Sequence, residues 1–215
     1  MRGYPRDITD LIPVTASAVT DPSWLAEQLA ATARRYRLDR PASVGVLWWY
    51  SASSVLLGPV AESCVRGGPV ADPSLAAVTL FLHPDGRVLD ARSAGVVAAE
   101  SLGERLGGAL SAAVAAVAAA SGAREPALWA IATDSLANRV LWAGGAASVA
   151  AGLAASAGSL PEPRYVTVAG TRVVRRASCC LIYQAPGEAK CVSCPRQHPD
   201  ERRRRLEAQL GGITR

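Results

Sequence analysis

Four of the five cysteines lie close together near the C-terminus: Cys179-Cys180, a gap of ten residues, then Cys191-Val192-Ser193-Cys194. Thiols spaced like this either bind metal or form disulfides. Half of the residues are hydrophobic, enough to build a core without a disulfide scaffold. The group therefore reads as a four-thiolate metal site. Tetrahedral sulfur ligation suits zinc or an iron–sulfur cluster. Structural zinc sites offer two separated pairs, with roughly two to four residues inside each pair. Cys191 and Cys194 fit that spacing; the adjacent Cys179 and Cys180 do not. Neighbours in extended chain face opposite sides, so an adjacent pair converges poorly on one small ion. A [2Fe–2S] cluster shares four thiolates over two irons and accommodates the pair better. The plant-type ferredoxin spacing is absent, so the cluster would be of another kind. Zinc and thiol redox chemistry remain open alternatives on spacing alone.

The run Arg175-Arg176-Ala177-Ser178-Cys179-Cys180-Leu181-Ile182-Tyr183, followed after the gap by Cys191-Val192-Ser193-Cys194-Pro195, resembles the C-terminal signature of the FhuF-type ferric siderophore reductases. That signature is two adjacent cysteines, ten residues, then a cysteine pair two residues apart, and the spacing here matches without a gap. Thr133-Asp134-Ser135-Leu136-Ala137-Asn138-Arg139 resembles a stretch that the family carries on a helix. The first 120 residues resemble the family mainly in length and texture. The resemblance implies that Cys179, Cys180, Cys191 and Cys194 hold a [2Fe–2S] cluster. It implies one-electron reduction of a ferric siderophore, with hydroxamate as the family-level substrate class.

Side chains around the thiolates would tune such a site. Arg175, Arg176, Lys190 and Arg196 flank the cysteines. Positive charge there favours the more negative, reduced cluster and raises its potential. The same charges suit an anionic ligand, while plain compensation for four thiolates is the alternative. Tyr183 is placed to stack on a ligand or donate to a sulfur, or simply to pack. These five residues form the expected substrate side. His198 lies four residues beyond Cys194; with four thiolates present it is the weaker ligand. Asp134 and Asn138 share a helix face. They read as a capping or buried polar pair, or as support for the cluster loop or a ligand pocket.

The elements that must position these residues read as a helix-rich α+β single domain over 1–215. A helical core over 1–164 carries a small antiparallel β-hairpin near 76–91. The segment 165–215 holds the cysteines. Met1 to Thr20 reads as mixed and irregular at first. Asp21-Pro22-Ser23 signals a helix start, with Trp24, Leu25 and Leu29 as its stripe. Asp39-Arg40-Pro41 starts a second helix toward Arg66, kinked near Pro59. Ala76 to Leu82, a turn at His83-Pro84-Asp85-Gly86 and Arg87 to Ala91 form the hairpin. Val96 to Ala120 reads as helix, with Glu100, Glu104 and Arg105 on its wet side. Glu125-Pro126 opens another, and Gly144-Gly145 is a bend or a close helix crossing. Ala146 to Ser156 is helical, and Tyr165 to Val174 is extended chain or a short hairpin delivering the cysteines. Pro199-Asp200-Glu201 starts the last helix, with a Glu201–Arg205 pair and a stop at Gly211-Gly212. Abundant alanine and glycine favour closely packed helices. Trp48, Trp49 and Tyr50 are consecutive, so at least one must face solvent or an interface.

Net charge is +5, much of it from Arg202 to Arg205. That suits an anionic small ligand or an acidic partner and argues against nucleic acid. Arg202 to Arg205 read as a solvated face, or as a docking patch for an acidic donor. Ala42 to Ala61 and Val140 to Pro161 are long and uncharged, but polar or small residues interrupt both, and they read as buried helices with no transmembrane span. With no secretory leader in Met1 to Tyr36 and clustered free thiols, the expectation is a cytoplasmic protein, with loose association with a membrane surface left open. Cys64 reads as a small buried hydrophobe. No G-x-G-x-x-G after a strand and no G-x-x-x-x-G-K-[ST] loop is present. Electrons would then come from a separate ferredoxin, flavodoxin or NAD(P)H-dependent reductase. Two further readings stand beside the reductase: a binding module with structural zinc, and a [2Fe–2S] electron carrier or redox sensor without a siderophore site.

Overall fold

Asp21 caps α1 (Pro22–Tyr36) as the sequence requires. Its carboxylate accepts the Ser23 and Trp24 N–H groups at 2.8 and 2.9 Å, satisfying two otherwise orphaned donors. These are details of a computed structural model that describes residues 11–211. The expected irregularity of residues 1–10 and the stop at Gly212 lie outside the described residues.

Pro41 opens α2 (Pro41–Leu56), and the chain breaks at Leu57 before α3 (Gly58–Arg66), with Pro59 in its first turn. A proline there loses nothing, because its missing N–H would have had no partner. α2 is the central helix, packing on α1, α4 (Ala99–Ser121) and α5 (Glu125–Trp142). Trp49 is fully buried in that core and donates its indole N–H to the Leu128 carbonyl at 2.9 Å. Trp48 is buried and meets Trp24 edge-on at 6.2 Å. Tyr50 is the exposed member of the aromatic run.

Small residues set the helix spacing. α4 crosses α6 (Ala147–Ala157) so closely that a Cβ on Gly103 would collide with the Ser156 carbonyl. One on Gly107 would lie 2.6 Å from the Ala157 carbonyl oxygen. Gly103→Val should therefore destabilise the fold by about 2–3 kcal/mol, lowering the melting temperature by roughly 5–10 °C in thermal denaturation. Gly108, on the open side of α4 with nothing within 4 Å, is the contrast. Gly108→Ala should stabilise by about 0.5–1 kcal/mol through helix propensity.

The hairpin forms from β3 (Val78–Leu82) and β4 (Val88–Ser93), with Phe81 opposite Asp90 and a bulge between Phe81 and Leu82. A third strand, β1 (Ile12–Thr15), pairs antiparallel with β3. It lies within the stretch expected to begin irregularly, where four residues are too few to declare alternation. Val96 is not the start of a helix. Val96–Val97 form β5, paired with β2 (Val70–Ala71), and the helix begins at Ala99. The β-branched pair found a strand partner, which local propensity cannot foresee.

The apolar run from Ala42 is consumed by the core of α2 and α3. The run from Val140 is not one buried helix. It ends α5, turns through Gly144 at φ 82° and resumes as the short α6, of which Ala150, Leu153 and Ala154 are buried. Gly145 is the close crossing: a Cβ there would strike Val65. Two helical stretches, Pro41–Arg66 and Ala99–Ser121, pass a length and apolarity test for crossing a membrane. Both belong to the packed helical body, and the first is broken at Leu57. The result is a helix-rich α+β fold with small antiparallel sheets.

Candidate metal centre

The cysteines are delivered by a hairpin, β6 (Tyr165–Val168) and β7 (Thr171–Val174). Its turn residues Ala169 and Gly170 both take positive φ, 47° and 77°, as a two-residue hairpin requires. β7 lies against α5, and the chain then meets Asp134 of that helix. The Asp134 carboxylate accepts the Ala177 N–H at 3.1 Å and the Ser178 N–H at 3.3 Å. Asn138 donates its amide to the Asp134 backbone carbonyl at 2.8 Å. Of the two readings of this pair, support for the cysteine loop describes Asp134.

Arg176 is the second fixed point. It is buried, with Nε 3.7 Å from Asp134 Oδ2 and Nη1 donating to Cys191 Sγ at 3.4 Å. Its guanidinium lies over the Tyr50 ring at 4.7 Å. Burial pushes the Asp134 carboxyl upward, against the two backbone donors and the Arg176 charge. Burial likewise raises the Tyr50 phenol, against Arg176.

The sulfurs form a chain of close neighbours. Cys179 Sγ and Cys194 Sγ are 3.5 Å apart, and Cys180 is within hydrogen-bonding reach of both Cys179 and Cys191. Cys179, Cys180 and Cys194 are buried and Cys191 is half-buried; all are free thiols. Leu181 takes a left-handed conformation, φ 63°, a strain that for a non-glycine residue tends to collect at functional sites. Past that turn the Leu181 N–H donates to Cys179 Sγ at 3.4 Å and the Ile182 N–H serves Cys180. Downstream, Gln197 donates to the Cys191 and Val192 carbonyls at 2.8 and 3.0 Å. Its own carbonyl accepts from Arg205 of α7 (Pro199–Gly211), so the last helix clamps the loop.

Four thiols this close cannot all ionise unaided. Hydrogen bonds from Cys179 and Cys191, with Arg176, hold the Cys180 thiol far below its ordinary range. Cys179 and Cys191, which donate to it, are pushed up. A donor set of this kind needs a cationic core to become four thiolates. Among the described residues no three His, Cys, Asp or Glu side chains are grouped as a metal ion would need. Sulfurs strung out in pairs suit two irons better than one zinc. Arg176 Nε and Nη2 are buried without a hydrogen-bond acceptor among the described residues, and a sulfide-bearing group supplies acceptors. The residues fit the cluster.

The expected substrate side divides. Arg176 reaches a sulfur and is buried. Arg175 and Arg196 are exposed. Lys190 covers the Tyr183 ring at 5.7 Å and donates to the Arg196 carbonyl at 3.1 Å, making a small surface group on the loop. His198 is exposed beside Asp200, 3.5 Å away. Glu201 pairs with Arg204, not Arg205, because Arg205 is held by Gln197 and Arg203 takes Glu207. Cys64 is half-buried against the core, and burial raises its thiol. Tyr50 and Gln197 were not expected at the site. No sequence signal marks Gln197, whereas the exposed member of Trp48-Trp49-Tyr50 was a usable clue.

Residues 176–196, with all four clustered cysteines, match the family model described as the FhuF 2Fe-2S C-terminal domain. A [2Fe–2S] cluster is the group this segment takes, and it is in this segment that the chain is similar to the FhuF domain. A search of curated proteins finds no match to the chain.

Proposed function

We propose that this chain is a ferric siderophore reductase working as one unit, with a helical body to residue 164 presenting a cysteine segment from 165. Cys179, Cys180, Cys191 and Cys194 are the ligands. The cluster supplies a single electron, the number that Fe(III) needs to become Fe(II). The ferric ion is a hard cation held by hard oxygen donors, and one added electron loosens that grip. No bond within the chelator breaks, and a separate donor replaces the electron. A ferredoxin, flavodoxin or NAD(P)H-dependent reductase fits, since no nucleotide motif is present. Clustered free thiols favour a reducing compartment, and this supports reading the cytoplasm as the place of this work.

The protein's share is to hold charge and bring the chelate near. Arg176 balances thiolate charge from inside, Asp134 fixes its position, and the Leu181 and Ile182 N–H groups ease negative charge on sulfur. The Arg176 charge and the two N–H groups favour the reduced state. The observation that carries the reading is the position of Arg176: one end donates to Cys191, and its face covers Tyr50, which lines a solvent-open cavity.

The test is anaerobic reduction of purified protein followed by rapid mixing with ferric siderophores, tracking absorbance. We expect reoxidation together with appearance of Fe(II) trapped by a ferrous chelator. Protein that carries iron and sulfide but transfers no electron to any ferric siderophore would be a carrier or sensor instead.

A further inference from the structure

The net positive charge of the chain lies wholly in the cysteine segment. Residues 165–215 carry ten Arg and Lys against four Asp and Glu, and residues 1–164 carry thirteen against fourteen. The metal centre does not absorb this surplus. Four thiolates around two irons and two sulfides leave about two negative charges when oxidised and about three when reduced. Arg176 answers them from inside, buried and donating to Cys191. The other cations turn outward: Arg172, Arg175, Lys190, Arg196, Arg203 and Arg204 are all exposed. Arg203 is held by Glu207 at 3.0 Å and Arg204 by Glu201 at 2.6 Å. Among the described residues, Arg172, Arg175, Lys190, Arg196 and Arg202 have no carboxylate within ion-pair reach. The segment's remaining carboxylates are Glu188 and Asp200, both exposed, and Asp200 stands 3.5 Å from His198. An exposed field of one sign attracts a partner of the other.

These cations gather at the accessible edge of the sulfur nest. Cys191 is the half-buried thiol of the four. Lys190 precedes it and donates to the Arg196 carbonyl at 3.1 Å, which ties together the two cations that flank the Cys191–Cys194 loop. Gln197 donates to the Cys191 and Val192 carbonyls and accepts from Arg205, which sets the basic helix α7 against the same loop. Arg175 donates its backbone N–H to the Arg164 carbonyl at 2.8 Å, one residue before the guanidinium that touches Cys191. The cavity that Tyr50 lines is built from residues between 31 and 142 and takes none from the cysteine segment. Two different parts of the chain therefore lead from solvent toward the metal centre.

We infer that the exposed cations around Cys191 are the docking surface for an acidic one-electron carrier protein, and that electrons enter the site from this side. The inference rests on the reductase reading for the need of a donor, while the surface stands on the charge alone. One electron leaves the reduced carrier and is taken up at the oxidised metal centre; no bond forms or breaks and no proton is required. Carboxylates on the carrier meet Arg175, Lys190 and Arg196, and charge at such a rim speeds encounter more than it tightens the complex. Anionic lipid would meet the same charge, but a helix that lies on a membrane also offers an apolar face. The leucines of α7, Leu206 and Leu210, are half-buried. Val166 is the single large hydrophobic side chain that the described part of the cysteine segment exposes.

The test uses the cluster-loaded full chain and an acidic plant-type ferredoxin as the carrier. With both proteins oxidised, calorimetric titration should show a complex at about 20 mM ionic strength that weakens at least tenfold by about 200 mM. With the ferredoxin pre-reduced, stopped-flow mixing should show the same fall in the second-order rate of electron transfer. Arg175→Glu combined with Arg196→Glu should weaken the complex and slow the transfer at least tenfold at low salt. At about 500 mM salt the variant should converge on the parent, whereas a mere shift of potential would persist there. Arg34→Glu combined with Arg92→Glu makes the same change in net charge at exposed positions of the helical body, and should leave both readouts within about twofold. Reduced with dithionite instead, the Arg175 and Arg196 variant should be reoxidised by ferric siderophores at the parental rate. Slower reoxidation would make these cations a substrate site and overturn the inference. So would the absence of a complex at low salt, salt-independent binding, equal losses in both double variants, or binding to phosphatidylserine vesicles without binding to ferredoxin. A complex that behaves as expected, in a protein that reduces no ferric siderophore, keeps the docking surface and rejects the reductase reading.

Discussion

Cys191→Ser is expected to strip the purified protein of its visible absorbance. Iron and acid-labile sulfide should fall from about two of each per chain to near zero, with loss of the one-electron EPR signal on reduction. Ferric siderophore reduction should drop at least a hundredfold. Cys191 is the least buried of the four and lies at one end of the sulfur chain, touched by Arg176 Nη1. A serine hydroxyl does not ionise near neutral pH and is a poor replacement for a soft thiolate. It also deprives Arg176 of a thiolate partner inside the protein. Cys64→Ser supplies the control: that thiol is half-buried in the helical body, outside the sulfur nest, and the variant should keep its full iron and sulfide. A Cys191→Ser protein that retained both would remove this residue from the ligand set.

What the sequence could disclose about the site was local. Cysteine spacing pointed to iron and sulfide because adjacency is a property of the chain itself. The cap at Asp21 and the prolines at 22, 41 and 126 announced helices for the same reason, whereas Pro59 was read as a kink and in fact opens a separate helix. The supporting partners were hidden because they are distant in sequence. Asp134 binds the amides of Ala177 and Ser178 across more than 40 residues. Tyr50 meets Arg176 across the whole helical body. No periodicity encodes such meetings; they follow from how α2 and α5 pack. Arg176 illustrates the limit. Its charge was read, with that of its neighbour Arg175, as drawing an anionic ligand or as compensating the thiolates, yet one is buried and the other exposed. Which of two consecutive arginines turns inward is decided by a carboxylate that the local sequence does not contain. Val96 failed in the other direction: composition favoured helix, and a two-residue strand across the fold claimed it.

Asp134→Ala should be the most damaging single change outside the cysteines. The carboxylate is 3% exposed and its ion-pair partner Arg176 is 7% exposed. Removing one member of a buried pair strands the other charge at a cost of about 3–5 kcal/mol. The Ala177 and Ser178 amides also lose their acceptor, at about 1–3 kcal/mol each when buried, although these costs overlap. Melting temperature should fall by roughly 10 °C or more for a chain of this size. Asp134→Asn keeps an oxygen for one amide and should fall between the two. The double variant Asp134→Leu with Arg176→Met removes both charges and should regain the ion-pair share of the loss, because an apolar pair of similar volume often replaces a buried ion pair without loss, while the Ala177 and Ser178 amides stay without their acceptor. It should not regain the redox behaviour. Without the guanidinium on Cys191, the reduced state loses its nearby positive charge and the midpoint potential should move negative, by about 59 mV for each tenfold change in the one-electron equilibrium. Calorimetry and a dye-mediated redox titration on the same samples read the two effects separately. A double variant that recovers stability yet keeps the parental potential would confine Asp134 and Arg176 to the fold and leave the tuning to the backbone amides at Leu181 and Ile182.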